Sequence, residues 1–246
     1  MPFLSHISIP KTGINSFPFS IPAFRDGLTL RLRDNVTFFV GENGSGKSTL
    51  LEGIADQCGF SLRGGNRNHQ MAHTEEVEEY DGYHTPLSKS ITLGWTPKRI
   101  SNGFFMRAES FFNFADYIDE LAKSDGSILD AYGGKSLHEQ SHGESFLSLF
   151  QNQFRNGIYI LDEPEAALSP NRLMTFMSII HKLEQSGRAQ FIIATHSPML
   201  LCYPGSTIFS FGDSGLEEIG YKDSEHYQLT KNFLDNPDAY FRFLFE

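Results

Sequence analysis

The chain has 246 residues, a formal net charge of −10 and 2 cysteines. A chain of this length can form one large α/β domain, and its negative charge disfavours nucleic acid and anionic membranes as partners unless a local basic patch exists. Cys58 and Cys202 lack metal-ligand spacing, and no stretch approaches 18 apolar residues, so we expect a cytoplasmic protein without a membrane span.

The N-terminal residues 7–33 combine alternating apolar positions, such as Leu28, Leu30 and Leu32, with three prolines. Alternation of this kind is typical of short antiparallel strands, and proline restricts such strands to the edges of sheets. We therefore predict an antiparallel β subdomain at one edge of the molecule.

A glycine-rich loop follows the apolar run Val36–Val40, which we predict to be a buried strand. The loop fits the pattern G-x-x-x-x-G-K-[ST] and consists of Gly41, Glu42, Asn43, Gly44, Ser45, Gly46, Lys47, Ser48 and Thr49. A helix is predicted directly after it, so strand, loop and helix give the context that a phosphate-binding loop requires. Lys47 would reach the β- and γ-phosphates, and Ser48 would ligate Mg²⁺. A chance match has a probability of about one in a hundred in a chain of this length and glycine content.

An aromatic run spans residues 103–112 and is interrupted by Arg107 and Glu109. Charges inside an apolar run suggest function, but period-two spacing also allows both side chains to lie on the solvated face of a strand. The two interpretations stay open at this point. Residues 91–95 are predicted as a strand and residues 113–122 as a helix.

A helix start is predicted near residue 141, because Ser141 and Glu144 have the spacing of a capping box. Gly143 would leave this helix N-terminus open to an anion. By itself the pattern is also that of an ordinary helix start.

The apolar run Ile158–Leu161 ends in two carboxylates, Asp162 and Glu163, and is stopped by Pro164. We predict a buried parallel strand with acids at its carboxyl end, where ligands of α/β sheets bind. Asp162 would face Mg²⁺, and Glu163 would orient or deprotonate an attacking water. The alternative, a solvated acidic turn, does not explain why the acids end an apolar strand.

A second core strand is predicted over residues 190–198, and it ends in a polar tip formed by Thr195, His196 and Ser197. A single histidine is usually structural, but its place at the end of a core strand suggests a γ-phosphate sensor. A helix is predicted from Pro170, a hairpin over 207–221, and a terminal helix after Pro237.

In this order the motifs resemble those of the ABC-type ATPases, which include transporter nucleotide-binding subunits and the SMC and RecF-like ATPases. Residues 41–48 resemble Walker A, 140–144 the signature loop, 158–163 Walker B, 167–170 the D-loop, and His196 the switch histidine. The segment 103–112 resembles one found in small stand-alone bacterial predicted AAA-type ATPases. Gln140 and His142 depart from the usual signature, and the Q-loop residue is left open between Glu109 and Gln70.

The resemblance implies a single α/β domain over 1–246. It would have a P-loop core with a mainly parallel sheet, the N-terminal antiparallel edge subdomain, a helical signature-side subdomain over 61–140, and a helical tail over 226–246. It implies ATP and Mg²⁺ as cofactors and an ATP-dependent homodimer. The signature residues Ser141, His142, Gly143 and Glu144 of one copy would complete the phosphate site of the other.

Three functions remain after this step. The first is an ATPase that drives or regulates a partner, with DNA maintenance and defence as candidate processes and with Lys98, Arg99 and Arg107 as a candidate basic patch. The second is the nucleotide-binding subunit of a transporter whose membrane chain is separate. The third is an ATP sensor that controls an effector, although the intact pair of Asp162 and Glu163 favours hydrolysis.

Overall fold

A computed structural model of the chain describes residues 1–62, 64–66, 85–96, 100–108, 111–132, 134–139 and 142–245. Within these ranges the elements follow in chain order as β1 (Leu4–Ile9), α1 (Pro22–Arg25), β2 (Leu28–Arg31), β3 (Val36–Gly41), α2 (Lys47–Cys58), β4 (Thr92–Trp95), β5 (Gly103–Arg107), α3 (Phe111–Ser124), α4 (His142–Gln153), β6 (Gly157–Asp162), α5 (Pro170–Gln185), β7 (Ala189–Ala194), α6 (Pro198–Leu201), β8 (Thr207–Gly212), β9 (Gly215–Ile219), α7 (Glu225–Asp235) and α8 (Pro237–Phe245).

The larger sheet has the strand order β5-β6-β7-β3-β8-β9. Its neighbours are parallel from β5 through β8, and only the edge strand β9 is antiparallel, which confirms the predicted mainly parallel sheet. The register aligns Arg107 with Asp162, and Asp162 with Ala194. Because parallel strands end at the same edge, the residues that follow these strands are brought together there.

The smaller sheet is antiparallel, with the order β2-β1-β4, and confirms the predicted N-terminal edge structure. A fully buried side chain, Gln190 of β7, connects it to the larger sheet. The Gln190 Oε1 atom accepts the backbone N–H groups of Phe3 and Leu4, both at 2.9 Å. Its Nε2 atom donates to the Leu4 carbonyl, also at 2.9 Å. The carboxamide therefore pairs with three backbone groups that water cannot reach.

Successive residues of the central strands point to opposite faces of the larger sheet, because side chains alternate along a strand. On one face, Phe39, Ile160 and Ile192 pack with α2 and the smaller sheet. On the other face, Phe38, Leu161 and Ile193 pack with α3, α4 and α5. The helix after the phosphate-binding loop and the helix after the predicted signature thus lie on opposite sides of one sheet.

The C-terminal range 226–246, predicted as a helical tail, contains two helices. The helix predicted after Pro237 is α8, and α7 lies before it. Both helices place no residue in the buried core, so they lie at the surface of the described chain. Among the described residues, no helix has the length and apolarity needed to cross a bilayer.

The predicted division of the chain stays a prediction. Within the range 61–140, β4 belongs to the smaller sheet and β5 to the larger one, while α3 packs on the face that also carries α4.

Candidate nucleotide-binding site

The phosphate-binding loop connects β3 to α2 and depends on glycine at two crowded positions. Gly41 has φ 143° and Gly46 has φ 105°, conformations that L side chains rarely adopt. A Cβ atom on Gly41 would lie 2.5 Å from the Phe211 carbonyl oxygen, and one on Gly46 would lie 3.0 Å from Ile21 Cγ2. The sequence pattern therefore corresponds to a tight backbone loop with no room for larger residues at these positions.

Lys47 is the first residue of α2 and is buried, with 4% of its surface exposed. Its Nζ atom donates to the carbonyl oxygens of Gly41 at 2.6 Å and Glu42 at 2.9 Å. Burial lowers the pKa of Lys47, while the carboxylates of Glu163 and Asp162 oppose that shift. The ammonium group is thus held over the loop and close to the acids that end β6.

Asp162 is the last residue of β6, and one of its two carboxylate oxygens has a hydrogen-bond partner. Its Oδ2 atom accepts from Arg107 Nε at 3.1 Å. Its Oδ1 atom is buried and has no hydrogen-bond partner among the described residues. An unpaired buried carboxylate oxygen is costly, and a hard cation such as Mg²⁺ is a ligand that would satisfy it. With the Ser48 hydroxyl at the start of α2, Asp162 fits a magnesium site of the kind completed by phosphate oxygens.

Arg107 does not lie on a solvated strand face. Its side chain is 24% exposed and bridges two acids, with Nη1 2.6 Å from Glu52 Oε1 and Nε 3.1 Å from Asp162 Oδ2. The functional interpretation of this residue is therefore favoured over the solvated one. The candidate basic patch stays a prediction, and its Arg107 guanidinium is paired with two acids inside the site. Lys98, Arg99 and Glu109 lie outside the described residues.

Glu163 adopts a strained backbone conformation, with φ 51° and ψ 49°. Among the described residues it is the only one besides glycines with positive φ. The left-handed conformation costs a non-glycine residue about 1–2 kcal/mol, and such strain clusters at functional sites. The Glu163 N–H donates to the Ala194 carbonyl at 2.9 Å, which holds the bend in place. The side chain is 44% exposed and lies beside His196.

His196 is held by its backbone and by both sides of its ring. Its N–H donates to Glu165 Oε1 at 2.6 Å, and its Nδ1 atom lies 2.8 Å from His226 Nε2. Its Nε2 atom lies 3.3 Å from Glu163 Oε1. That contact lacks hydrogen-bond alignment, and Nε2 is buried without another partner in the described chain. The Nε2 atom of an oriented imidazole therefore lies next to Glu163 and can still form a hydrogen bond.

Glu165 organises the segment that carries His196. Besides the His196 N–H, its Oε1 atom accepts the Thr195 hydroxyl at 2.7 Å and the Ser197 N–H at 3.1 Å. Burial raises the pKa of Glu165. Its Oε2 atom is buried without a hydrogen-bond partner among the described residues.

The predicted signature is described only in part, because Gln140 and Ser141 lie outside the described residues, as does Gln70. Helix α4 begins at His142, and Glu144 in its first turn lies 3.1 Å from Arg172 Nη2. A Cβ atom on Gly143 would lie 2.6 Å from Arg172 Nη1 and 3.1 Å from the Ala167 carbonyl oxygen, so these groups lie close to the glycine. The expectation that Gly143 keeps this N-terminus open to an anion stays a prediction.

Comparisons with known proteins match the chain to a family of AAA domains and to ATP-binding proteins of transporters. A model of the family described as "AAA domain, putative AbiEii toxin, Type IV TA system" matches residues 136–201. The ribose import ATP-binding protein RbsA of Geobacillus kaustophilus is 29% identical over 177 residues, which are 66% of this chain and 35% of that protein. The energy-coupling factor transporter ATP-binding protein EcfA2 of Spiroplasma kunkelii is 22% identical over 213 residues, which are 79% of this chain and 65% of that protein.

A solved structure described as "An inward-facing conformation of a putative metal-chelate type ABC transporter" shares the fold. It has a TM-score of 0.52 and 16% identity, and the match covers 94% of this chain and 88% of the other. The chain is therefore similar in sequence to ATP-binding proteins of importers and transporters, and similar in fold to one solved ABC transporter structure.

The arrangement places Lys47, the acids Asp162 and Glu163, and His196 at or just beyond the ends of three neighbouring strands, β3, β6 and β7. Sequence reasoning named these residues. It considered Arg107 without its pairing to Asp162, and it did not consider Glu165 and His226. Glu165 had a detectable signal, because a third carboxylate follows Asp162 and Glu163 within three residues. His226 had none, because the prediction of a helical tail over 226–246 does not show which of its side chains contacts His196.

Proposed function

We propose that this chain is an ABC-type ATPase, that it binds ATP with Mg²⁺ and hydrolyses it to ADP and phosphate, and that two copies associate when ATP is bound. The observation that carries the proposal is the convergence of four groups at one edge of the parallel sheet. They are the Lys47 ammonium, the unpaired Oδ1 of Asp162, the strained Glu163 and the unpaired Nε2 of His196. A phosphate ligand and its cation would form bonds with these groups, which lie at the carboxyl ends of the parallel strands.

Each of these groups has a distinct task in the proposed reaction. Lys47 exchanges its bonds to loop carbonyls for bonds to phosphate oxygens. Asp162 Oδ1 and the Ser48 hydroxyl hold Mg²⁺, which when bound neutralises phosphate charge. Glu163 orients a water and accepts its proton as the water attacks the γ-phosphorus, and His196 donates from Nε2 to a γ-phosphate oxygen. This site assignment rests on the geometry of the described residues and on the sequence motifs.

The arrangement of the helices supports an association of two copies. Helix α2 packs on one face of the larger sheet and α4 packs on the other, so the signature of one chain lies across the sheet from its own phosphate-binding loop. A single loop also leaves one side of the γ-phosphate exposed to water. The N-terminus of α4 from a second copy would cover that side and exclude solvent, which strengthens the electrostatic interactions.

Glu163→Gln tests the proposal, because glutamine keeps the shape of the side chain and cannot accept the proton. We expect ATP binding to remain and turnover to fall roughly 10²- to 10⁴-fold, the usual contribution of a general base. Glu217→Gln on the exposed surface of β9 is the matched control and should hydrolyse ATP at the wild-type rate. Wild-type turnover in Glu163→Gln would place the base elsewhere.

Sedimentation of the Glu163→Gln variant tests the association. With ATP the mass should be that of two chains, and with ADP that of one, because ADP lacks the γ-phosphate that joins the copies. Adding Ser141→Arg should return the ATP sample to the mass of one chain. An identical mass in all three samples would refute the ATP-dependent dimer.

A second candidate function is the nucleotide-binding subunit of a transporter, which the names of the curated relatives favour. RbsA and EcfA2 are named as import and transporter ATP-binding proteins. Both candidates place the chain in the cytoplasm. Purification from its native cell distinguishes them: a stoichiometric membrane protein in the eluate supports the transporter role, and a soluble protein or nucleic acid supports the other.

A further inference from the structure

His226 contacts the predicted switch histidine from a helix that none of the sequence motifs includes. Its Nε2 atom lies 2.8 Å from His196 Nδ1, and the two ring centroids are 4.8 Å apart. His226 is the second residue of α7, and the start of that helix is well anchored. The buried Ser224 hydroxyl donates to the Tyr221 carbonyl at 2.9 Å and accepts the Tyr227 N–H at 3.3 Å. The His226 imidazole therefore lies at the start of a helix whose N-terminus is capped by Ser224.

Two arrangements of hydrogens fit the 2.8 Å contact between the rings: His226 Nε2 donates to His196 Nδ1, or the reverse. If His226 Nε2 donates, the hydrogen of a neutral His196 lies on Nε2, which stands 3.3 Å from Glu163 Oε1. A carboxylate can only accept, so this arrangement places a hydrogen and not a lone pair beside the Glu163 oxygen, although the two atoms are not aligned as a hydrogen bond. The geometry therefore favours His226 Nε2 as the donor.

The surroundings of His226 agree with this assignment. The pKa of His226 is lowered mainly by burial and also by the neighbouring His196. The ring is therefore neutral at neutral pH and has one N–H to donate. The charges of Glu42, Lys47 and Glu225 also act on the ring, which places it near the phosphate-binding loop as well as near His196.

We propose that His226 is a positioning residue that fixes His196 in the tautomer with its hydrogen on Nε2 and orients that hydrogen toward the γ-phosphate position. The catalytic consequence rests on the proposed ATPase function, while the tautomer itself does not. His226 has no contact with the reacting atoms in this role. A helix at the surface of the molecule thereby contributes to the geometry of the site.

Nitrogen-15 NMR of the histidines in the nucleotide-free chain tests the tautomer, with His196 assigned by comparison with His196→Ala. We expect wild-type His196 to be protonated at Nε2 and bare at Nδ1. His226→Ala should convert it to a mixture of tautomers. A wild-type His196 protonated at Nδ1, or an unchanged spectrum in His226→Ala, would overturn the proposal whether or not the chain hydrolyses ATP.

Two conservative variants separate positioning from a merely structural role. The amide nitrogen of glutamine lies about as far along its side chain as His Nε2, so His226→Gln can donate to His196 Nδ1, whereas the shorter His226→Asn cannot reach it. We expect kcat to fall about 2- to 12-fold in His226→Ala and His226→Asn, the effect of one neutral hydrogen bond, and to recover in His226→Gln. KM should change little in all three variants.

His181→Ala is the matched control, because His181 is half exposed and contacts Tyr203 and Glu184, neither of which belongs to the proposed site. It should leave kcat and the His196 spectrum unchanged. Equal kcat in His226→Gln and His226→Asn would overturn the positioning role. A correct tautomer without any ATP hydrolysis in the wild type would refute the proposed function and leave the structural part of this inference standing.

Discussion

Replacing Arg107 with methionine would remove the cation that pairs with both Asp162 and Glu52. Breaking a fully buried ion pair by deleting one partner costs about 3–5 kcal/mol, whereas an exposed pair contributes about 0–1 kcal/mol. The Arg107 side chain is 24% exposed, that of Glu52 25% and that of Asp162 8%. The pairs lie between the two limits, so we expect Arg107→Met to lower the free energy of unfolding by about 2–3 kcal/mol.

Thermal unfolding followed by circular dichroism measures this effect. For a chain of this size each kcal/mol shifts Tm by about 2–4 °C, so the expected decrease is about 4–12 °C. Arg33→Met is the matched control, because Arg33 pairs with Glu218 at 3.4 Å on an exposed surface, with side chains 66% and 48% exposed. The control should lose less than about 0.5 kcal/mol.

The same variant tests the magnesium site. Without Arg107 the Asp162 carboxylate has lost its cation, so Mg²⁺ with ADP should raise the Tm of Arg107→Met by more than it raises that of the wild type. Equal Tm values for Arg107→Met and Arg33→Met, with equal responses to Mg²⁺ and ADP, would refute the reasoning.

Two further predictions concern the loop and the carboxyl behind His196. Lys47→Ala should abolish ATP binding, because the triphosphate would lose its main point charge, and unchanged affinity by calorimetry would remove the phosphate-loop assignment. Glu165→Gln should fold and keep its bonds to Thr195 and His196, since its carboxamide oxygen replaces Oε1. The folded pKa of Glu165 is raised above 4.5, so its contribution to stability is complete below pH 4.5 and is lost as pH rises through the folded pKa. Urea unfolding should therefore show Glu165→Gln gaining stability relative to the wild type as pH increases from 4.5. A difference in the free energy of unfolding that stays constant with pH would contradict the raised pKa of Glu165.

The elements that the sequence predicted are those with local patterns. The loop from Gly41 to Thr49 has fixed spacing, and the strand before Asp162 is a continuous apolar run, so neither depends on distant residues. The pairing of Arg107 with Asp162 depends on β5 lying next to β6. The two residues are 55 positions apart in the sequence, and no local pattern in the segment between them shows that the two strands are neighbours. Strand order is set by packing of the whole sheet, which single-sequence periodicity does not contain.

The surroundings of His226 and Gly143 were not predicted, for separate reasons. A helical tail over 226–246 was expected, but no residue of α7 is buried, so the sequence does not show that one of its side chains contacts His196. A glycine shows only that a side chain is missing, and not that Arg172 of α5 lies beside the space.

The carboxamide of Gln190 has a consequence for where a ligand would sit. Shifting the smaller sheet by one residue would leave the Gln190 amide and its backbone partners in β1 unpaired in a dry interface, at about 1–3 kcal/mol for each group. The amide therefore fixes the registration of one sheet on the other. Helix α2, which begins at Lys47, packs with residues of both sheets in one buried cluster. The helix that carries Lys47 is thus linked by packing to the sheet that Gln190 holds in register, and Gln190 lies at the opposite end of β7 from His196.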